Sequence, residues 1–252
     1  MDFNRIDTFI FDLDSTLWYW NRLIPGAKRV IERVKEMKKE ILFVSNNTIE
    51  SRRGIAKRLN GFGIKVDFHN IINAGIVIGY YIKEKKGTAL ALNKGTEIDI
   101  RDAGVRIKKK PPVDYVIVTE DWDFDHKQLA LATEGVETGG KLLTSIMGRH
   151  WQVGDKLIPG VGCWVKAVEF AANTSAVCLG KPSNYMRKIV LKRLKTPSKT
   201  VYVGDELKND VGFAKSMGFK TVFVRTGLDK HVKGKFKPDL ALNSIKDLIN
   251  YL

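Results

Sequence analysis

Short apolar runs alternate along this chain with stretches in which apolar and charged residues recur with the period of an amphipathic helix. Apolar runs occupy residues 8–11, 41–44, 201–203 and 221–224, and each has the length and composition of a β-strand that is buried on both faces. Strands that alternate with helices are typical of βαβ units. The pattern therefore predicts an α/β fold with a doubly wound, mainly parallel sheet.

Residues that can bind a phosphoryl group or a metal ion follow three of these runs and a further short run at 177–179. In open parallel sheets, ligands bind beyond the carboxyl ends of the strands. We therefore interpret these residues as parts of one site at one edge of the sheet. They are Asp12 with Asp14, Ser45 with Asn46, Lys181 after the run at 177–179, and Asp205.

Asp12 and Asp14 are two residues apart at the end of the first run, so their side chains point to the same side of the backbone. Two carboxylates roughly 4 Å apart repel each other by about 4 kcal/mol at an effective dielectric constant near 20. A site that keeps both is suited to a cation. Asp12 has the chemistry of a nucleophile and Asp14 that of a general acid/base. The alternative is a solvated turn, in which Asp and Ser are common.

Asp205 and Asp210 add two acids after another buried run. Hard carboxylate oxygens suit Mg²⁺, which binds through one or two carboxylates and a substrate phosphate. The alternative for Asp210 is an acid that is favoured at a helix N-terminus by the helix dipole. Ser45 and Asn46 offer a hydroxyl and a backbone N–H for phosphate, and Lys181 offers a positive charge.

Residues 75–176 have an alternation of strands and helices of their own. We expect them to form a smaller α/β domain, inserted into a Rossmann-like core made of residues 1–74 and 177–252. Within the insert the pattern predicts strands at 88–92, 115–118 and 141–143, and helices after Gly95, at 127–132 and at 163–172.

The net charge of +15 is the one unusual property of the composition. It is compatible with nucleic-acid binding, but the basic residues of segment 28–39 lie on the polar side of a predicted helix, and no aromatic residues alternate with the basic ones. We favour a field that attracts small anionic substrates. No apolar stretch is long enough to span a bilayer and no secretory signal is present, so we expect a cytoplasmic protein without membrane contact. A homo-oligomer is compatible with this sequence.

Cys163 and Cys178 are the only cysteines, and two thiols do not make a disulfide framework. Cys163 has apolar neighbours in the sequence. We therefore predict that it lies in the core rather than in a thiol-dependent active site.

Together these residues resemble the haloacid dehalogenase-like hydrolases, in the branch of p-nitrophenyl, pyridoxal and phosphoglycolate phosphatases. The resemblance covers essentially the whole chain and rests on four segments in order: Asp12–Thr16, Phe43–Asn47, Gly180–Ser183, and Gly204-Asp205 with Asp210.

This resemblance implies a Mg²⁺-dependent phosphatase with a large α/β cap. Asp12 would be nucleophile and metal ligand, and Asp14 general acid/base and a ligand through its backbone. Asp205 would bind the metal with support from Asp210. The phosphate would be bound by Ser45, Asn46 and Lys181.

The chain departs from the family pattern at three places. Ser15 and Trp20 stand where glycine is usual, and Trp18-Tyr19-Trp20 form an aromatic flap that either stacks on substrate or packs beneath the loop. The substrate loop of the cap reads Ser145-Ile146-Met147-Gly148 and is followed by Arg149 and His150. We hypothesise that this loop favours an anionic leaving group.

We interpret the protein as a phosphatase of small phosphate monoesters that works through an aspartyl-phosphate. Two alternatives stay open. One is a catalytically weak or silent protein that binds phosphoryl ligands, which the altered cap loop suggests. The other is a nucleic-acid end phosphatase, which only the positive charge supports.

Overall fold

A computed structural model describes residues 1–153, 156–227, 229, 231–232 and 235–252. The chain divides into two compact units, each with its own apolar core. The first unit contains Met1–Ser45, Ile55–Ile72 and Met186–Leu252, and the second contains Asn46–Gly54 and Asn73–Tyr185.

The first unit is built on a six-stranded sheet. The strands are short apolar segments that are buried almost throughout, as expected for a sheet covered on both faces. The strands are β1 Thr8–Phe11, β4 Glu40–Ser45, β5 Ile71–Asn73, β12 Thr200–Gly204, β13 Lys220–Val224 and β14 Leu240–Leu242. Their order across the sheet is β14-β13-β12-β1-β4-β5, and the pairs from β14 to β4 are all parallel.

Amphipathic helices account for much of the remaining core of the first unit. Helix α1 (Ala27–Glu36) buries Ala27, Val30, Ile31 and Val34 on one side, which is the helical spacing seen in the sequence. A two-stranded hairpin follows the first strand and precedes this helix. The further elements are β2 Trp18–Tyr19, β3 Arg22–Leu23, α2 Arg52–Gly61, α7 Asn184–Arg193, a π-helix at Leu207–Gly212, α8 Phe213–Lys215, and short 3₁₀ segments at Phe3–Arg5, Phe68–Asn70, Pro197–Lys199 and Ile245–Tyr251.

The second unit contains a four-stranded parallel sheet and an antiparallel hairpin. The elements are α3 Ala74–Glu84, β6 Ala89–Ala91, α4 Lys94–Asp102, β7 Tyr115–Ile117, α5 His126–Glu137, β8 Lys141–Thr144, β9 His150–Val153, β10 Lys156–Pro159, α6 Val161–Ala171 and β11 Val177–Cys178. The order of the sheet is β11-β8-β7-β6, and β9 pairs with β10 in the hairpin.

These elements confirm the predicted α/β class, and they correct the sequence analysis at two points. Val177–Cys178 is the edge strand of the second sheet, so the expectation that this run ends at the same sheet edge as Asp12 is wrong. A half-exposed run of two residues does not specify which sheet it joins. Cys163 is exposed rather than part of the core, because α6 buries Val161, Val165 and Val168 instead.

Two pieces of the second unit had no clear signal in the sequence. Helix α3 is buried along most of its length, so its apolar residues do not show the amphipathic period that predicts a helix. The hairpin β9–β10 lies in a stretch without strong alternation. None of the helices in the described part of the chain combines the length and the apolar character needed to cross a membrane.

A buried carboxylate, Asp99, joins three segments of the second unit. Its oxygens accept hydrogen bonds from the backbone N–H of Arg52 at 3.0 Å and from the amide of Asn73 at 2.6 Å, and the Arg52 guanidinium lies 3.6 Å away. A side chain at Gly75 would lie 2.7 Å from the same carboxylate. Burial raises the pKa of Asp99 to about 6, although Asn73 and Arg52 oppose the shift.

We predict that Asp99→Asn flattens the dependence of stability on pH. The pKa in the folded state, about 6, exceeds the ordinary value of 3.8. The contribution of Asp99 is therefore fully present below pH 3.8 and is lost as the pH rises through 6. The loss is on the order of 2–3 kcal/mol. Denaturant unfolding at pH 4 and at pH 7 measures this loss. The free energy of unfolding at pH 4 minus that at pH 7 should be smaller in the variant than in the wild type by about that amount.

Asp114→Asn is the control with the opposite sign. Hydrogen bonds from Thr88 lower the pKa of Asp114, so its contribution is present at neutral pH and is lost as the pH falls. An Asp99→Asn profile parallel to that of the wild type would contradict the prediction.

Candidate active site

The first acids of the site lie at the ends of two neighbouring strands. β1 and β12 pair in parallel with Phe11 opposite Val203, and the ladder continues when the N–H of Asp12 donates to the Val203 carbonyl at 2.9 Å. Asp12 and Asp205 each follow their strand directly, so both emerge at the same sheet edge. One carboxylate oxygen from each of Asp12, Asp205 and Asp210 lies within 4.8 Å of the other two.

Asp210 holds the loop that carries Asp205. Its Oδ2 accepts hydrogen bonds from the backbone N–H groups of Asp205 at 3.1 Å and Glu206 at 3.0 Å. Its Oδ1 accepts one from the Tyr202 hydroxyl at 3.1 Å. A Cβ at Gly204 would lie 2.4 Å from the Asp210 carboxyl carbon. The turn after β12 therefore requires both this glycine and this acid.

Asp205 is fixed by two contacts that the sequence analysis did not identify. The Thr16 hydroxyl donates to its Oδ1 at 3.0 Å. A Cβ at Gly227 would lie 1.7 Å from its Oδ2, so only glycine fits beside this oxygen. Thr16 lies in the same segment as Asp12, and this proximity in the sequence is the feature from which its contact with Asp205 could have been predicted.

The electrostatics of this group favour a bound cation. Asp12, Asp205 and Asp210 are all buried. Burial raises the pKa of Asp205 well above its ordinary value, and the charges of Asp12 and Asp210 raise it further. Each like-charged pair costs about 4 kcal/mol at 4 Å and an effective dielectric constant of 20. A divalent cation removes this cost, and a donor set made only of carboxylate oxygens suits Mg²⁺.

Asp14 lies in the same loop as Asp12, but its carboxylate is not part of the three-acid group. It is half-buried, and its Oδ1 accepts a hydrogen bond from the indole of Trp18 at 2.7 Å. Ser15, which follows it, has a φ of 60°. This left-handed conformation explains why glycine is usual there.

The aromatic flap divides into a buried part and an exposed part. Trp18 is completely buried, whereas Tyr19 and Trp20 are about half exposed. Trp20 has a φ of 51° in the turn between β2 and β3, again where glycine is usual. Tyr19 donates through its hydroxyl to the backbone carbonyl of Thr226. Trp18 therefore packs beneath the loop, which is one of the two outcomes expected for the flap.

The three predicted phosphate-binding residues belong to different units. Ser45 is buried at the end of β4, next to β1, and belongs to the first unit. Asn46 and Lys181 belong to the second. Within it, Asn46 accepts a hydrogen bond from the N–H of Lys181 at 2.6 Å and donates one to its carbonyl at 3.1 Å. The Asn46 amide therefore holds the Lys181 backbone, a role that the sequence did not indicate.

Comparisons with known proteins agree with these features. The model of the haloacid dehalogenase-like hydrolases matches residues 9–106, and a second model, described as HAD-hydrolase-like, matches residues 178–248. Together the two segments include Asp12, Ser45, Lys181, Asp205 and Asp210.

Curated relatives and a solved structure extend the likeness over nearly the whole chain. Mouse chronophin is 28% identical over 87% of this chain and 80% of its own length. A sugar phosphatase of Bacillus subtilis is 27% identical over 95% and 90%. The p-nitrophenyl phosphatase from Archaeoglobus fulgidus is 27% identical and covers 98% of this chain and 99% of its own, with a TM-score of 0.87.

We predict that Asp205→Asn stabilises the protein in buffer without divalent cations. The change removes one negative charge from the buried group, so the melting temperature should rise by about 3 °C or more. Added Mg²⁺ should stabilise the wild type by binding its folded state and should leave the variant nearly unchanged. Differential scanning fluorimetry with and without Mg²⁺ measures both effects.

The matched control is Asp239→Asn. Hydrogen bonds from Thr221 and Lys215 hold the pKa of Asp239 below its usual range although burial opposes the shift. This variant should therefore melt at a lower temperature and keep the response to Mg²⁺. A lower melting temperature for Asp205→Asn in metal-free buffer would contradict the electrostatic account.

Proposed function

The chain belongs to the haloacid dehalogenase-like hydrolases, and we propose that it is a Mg²⁺-dependent phosphatase of small phosphate monoesters that works through an aspartyl-phosphate on Asp12. The observation that carries this proposal is the convergence of three buried carboxylates at the ends of adjacent strands. The names of the relatives, a sugar phosphatase and a p-nitrophenyl phosphatase, support a phosphoric monoester hydrolase.

The reaction proceeds in two steps. The Asp12 carboxylate attacks phosphorus while the ester P–O bond breaks, and Asp14 gives a proton to the leaving oxygen. A water molecule then attacks the acyl phosphate while Asp14 takes up one of its protons. The bond between phosphorus and Asp12 breaks, phosphate is released, and Asp12 returns to a carboxylate.

Mg²⁺, when bound, offsets the negative charge of the phosphoryl group and of the acids around it. Asp12 and Asp205 would hold it through their carboxylates, and Asp14 through its backbone carbonyl. Asp210 supports the ion chiefly by fixing the loop of Asp205, since both of its oxygens accept hydrogen bonds from the protein.

The phosphate group is bound by the Ser45 hydroxyl, the Asn46 backbone N–H and the Lys181 ammonium. Lys181 is almost completely buried, so solvent screens its charge less than it would screen an exposed ammonium. In this proposal residues 1–74 and 177–252 form the catalytic core and residues 75–176 form the cap. The compact units have somewhat different bounds, because Asn46–Gly54 and the residues up to Tyr185 pack with the second unit.

We place the enzyme in the cytoplasm and assign it small, anionic phosphorylated substrates. The net charge of +15 favours the approach of anions. Arg149 and His150 are exposed next to the cap loop, and the guanidinium of Arg149 adds positive charge there.

The direct test of the proposal is phosphate release from p-nitrophenyl phosphate and from a broad panel of phosphomonoesters. Activity should require Mg²⁺, and Asp12→Asn should abolish it, with a loss of at least about 10⁴-fold. Asp67→Asn is the matched control, since it changes an exposed acid whose capping role asparagine retains.

Two outcomes would replace the proposal by an alternative. Binding of phosphate esters without turnover in wild type would favour a silent phosphoryl-ligand protein. Release restricted to nucleic-acid ends, with steeply salt-dependent DNA or RNA binding, would favour an end phosphatase.

The cap loop gives a separate prediction about specificity. Arg149→Ala should lower kcat/KM for phosphates with an anionic leaving group by about tenfold, relative to phosphates with a neutral one, because a cation near the leaving group is removed. Lys141→Ala, an exposed change on β8 of the same unit, is the control. An unchanged preference in Arg149→Ala would contradict the role of this loop.

A further inference from the structure

The indole of Trp18 and the carboxyl of Asp14 are joined by a short hydrogen bond. The distance from Nε1 to Oδ1 is 2.7 Å, at the short end of the range for N–H···O hydrogen bonds. The backbone of the loop fixes the two residues at this separation. The N–H of Ser15 donates to the Trp18 carbonyl at 2.8 Å, and the N–H of Trp18 donates to the Leu13 carbonyl at 3.2 Å.

The indole ring is also held on its faces. Trp18 is completely buried, the Phe62 ring packs against it with centroids 6.2 Å apart, and the Arg58 guanidinium lies 4.5 Å from its centroid. A side chain enclosed in this way keeps one rotamer, because its neighbours leave no space for another. The N–H of Trp18 therefore points to Asp14 as a fixed donor.

Arg58 also changes the strength of that donor. A cation over the face of an indole attracts its π-electrons. This polarisation makes the N–H at the ring edge more positive and strengthens the hydrogen bond that it donates. Three residues of the first unit, Arg58, Trp18 and Asp14, thus form a connected series that ends at the proposed general acid.

This series of contacts determines which oxygen of Asp14 carries the acidic proton. Because Oδ1 accepts the indole hydrogen, the acidic proton of the neutral carboxyl belongs on Oδ2. Carboxyl groups otherwise rotate over a broad range about χ2. The hydrogen bond from Trp18 limits this rotation and keeps Oδ2 on one side.

We propose that Trp18 is a positioning residue that fixes the Asp14 carboxyl so that Oδ2 delivers its proton to the leaving oxygen, and that Arg58 strengthens the fixing hydrogen bond. The inference rests on the proposed phosphatase function. As the ester P–O bond breaks, its electron pair stays on the leaving oxygen, the proton moves from Oδ2 to that oxygen, and Asp14 is left as a carboxylate.

The test compares Trp18→Phe with wild type on two substrates. One is p-nitrophenyl phosphate, whose phenolate leaves with little protonation. The other is the best alkyl phosphomonoester of the release panel, whose alkoxide needs the proton. The variant should lose about 100-fold in kcat/KM on the alkyl ester and less than about fivefold on the nitrophenyl ester, with KM nearly unchanged for both.

Two further variants separate positioning from packing. Phe62→Leu loosens the packing on Trp18 but retains its N–H and the hydrogen bond to Asp14, so its preferential loss on the alkyl ester should be far smaller than that of Trp18→Phe. A preferential loss as large as that of Trp18→Phe would assign the effect to packing and overturn the role of the hydrogen bond. Arg58→Met removes the cation and keeps a side chain of similar reach. It should lose about threefold more on the alkyl ester than on the nitrophenyl ester. If Trp18→Phe does not fold by circular dichroism, this difference in Arg58→Met decides the question.

The outcomes distinguish this inference from the function on which it rests. A loss in Trp18→Phe that is equal for both substrates, or no loss at all, would overturn the positioning role while the phosphatase stands. The absence of such a bias in Arg58→Met would overturn the role of the cation and, where Trp18→Phe is unfolded, the whole proposal. Failure of the wild type to release phosphate from any monoester would overturn the proposed function itself.

Discussion

The mutual repulsion of Asp12, Asp205 and Asp210 is the constraint on which the site depends. The fold brings three carboxylates together where little water reaches them. Burial raises the pKa of Asp205, and the negative charges of its neighbours raise it further. Such a group is stable as three anions only beside a positive charge. The proposed chemistry follows from the same requirement, since an ion that holds the acids together would also attract a phosphoryl group.

The surrounding structure keeps these acids from moving apart. Asp210 is tied to the backbone N–H groups of Asp205 and Glu206, and Gly227 leaves just enough room for Asp205. A flexible loop would relax by turning its carboxylates towards solvent. This loop cannot do so without breaking buried hydrogen bonds, each of which costs on the order of 1–3 kcal/mol when a partner is left unpaired. The rigid loop therefore keeps the three carboxylates close together although they repel each other.

The sequence was sufficient to predict the acids and their common edge, because Asp12 and Asp205 each follow an apolar run directly and parallel strands present their carboxyl ends together. It assigned the short apolar run before Lys181 to the wrong sheet. That run joins the second sheet, and nothing in two or three apolar residues specifies a partner strand. The predicted domain bounds and the assignment of phosphate-binding residues stay predictions.

The contacts that fix the site were also beyond the sequence. Thr16 on Asp205, Tyr202 on Asp210 and Trp18 on Asp14 depend on side-chain directions and on residues brought together from different elements. A hydrophobic pattern locates a strand or helix, but it does not distinguish a tryptophan that packs in the core from one that also donates a hydrogen bond to a carboxylate such as Asp14. The positive φ values of Ser15 and Trp20 belong to the same class of information.

A crystal structure of the protein grown with Mn²⁺, which replaces Mg²⁺ and scatters anomalously, tests the central claim most directly. The account predicts an anomalous peak at about 2.0–2.3 Å from one carboxylate oxygen of Asp12 and one of Asp205, with Asp210 still bound to the loop. The absence of a peak at the three acids, in crystals that bind Mn²⁺ elsewhere, would contradict it.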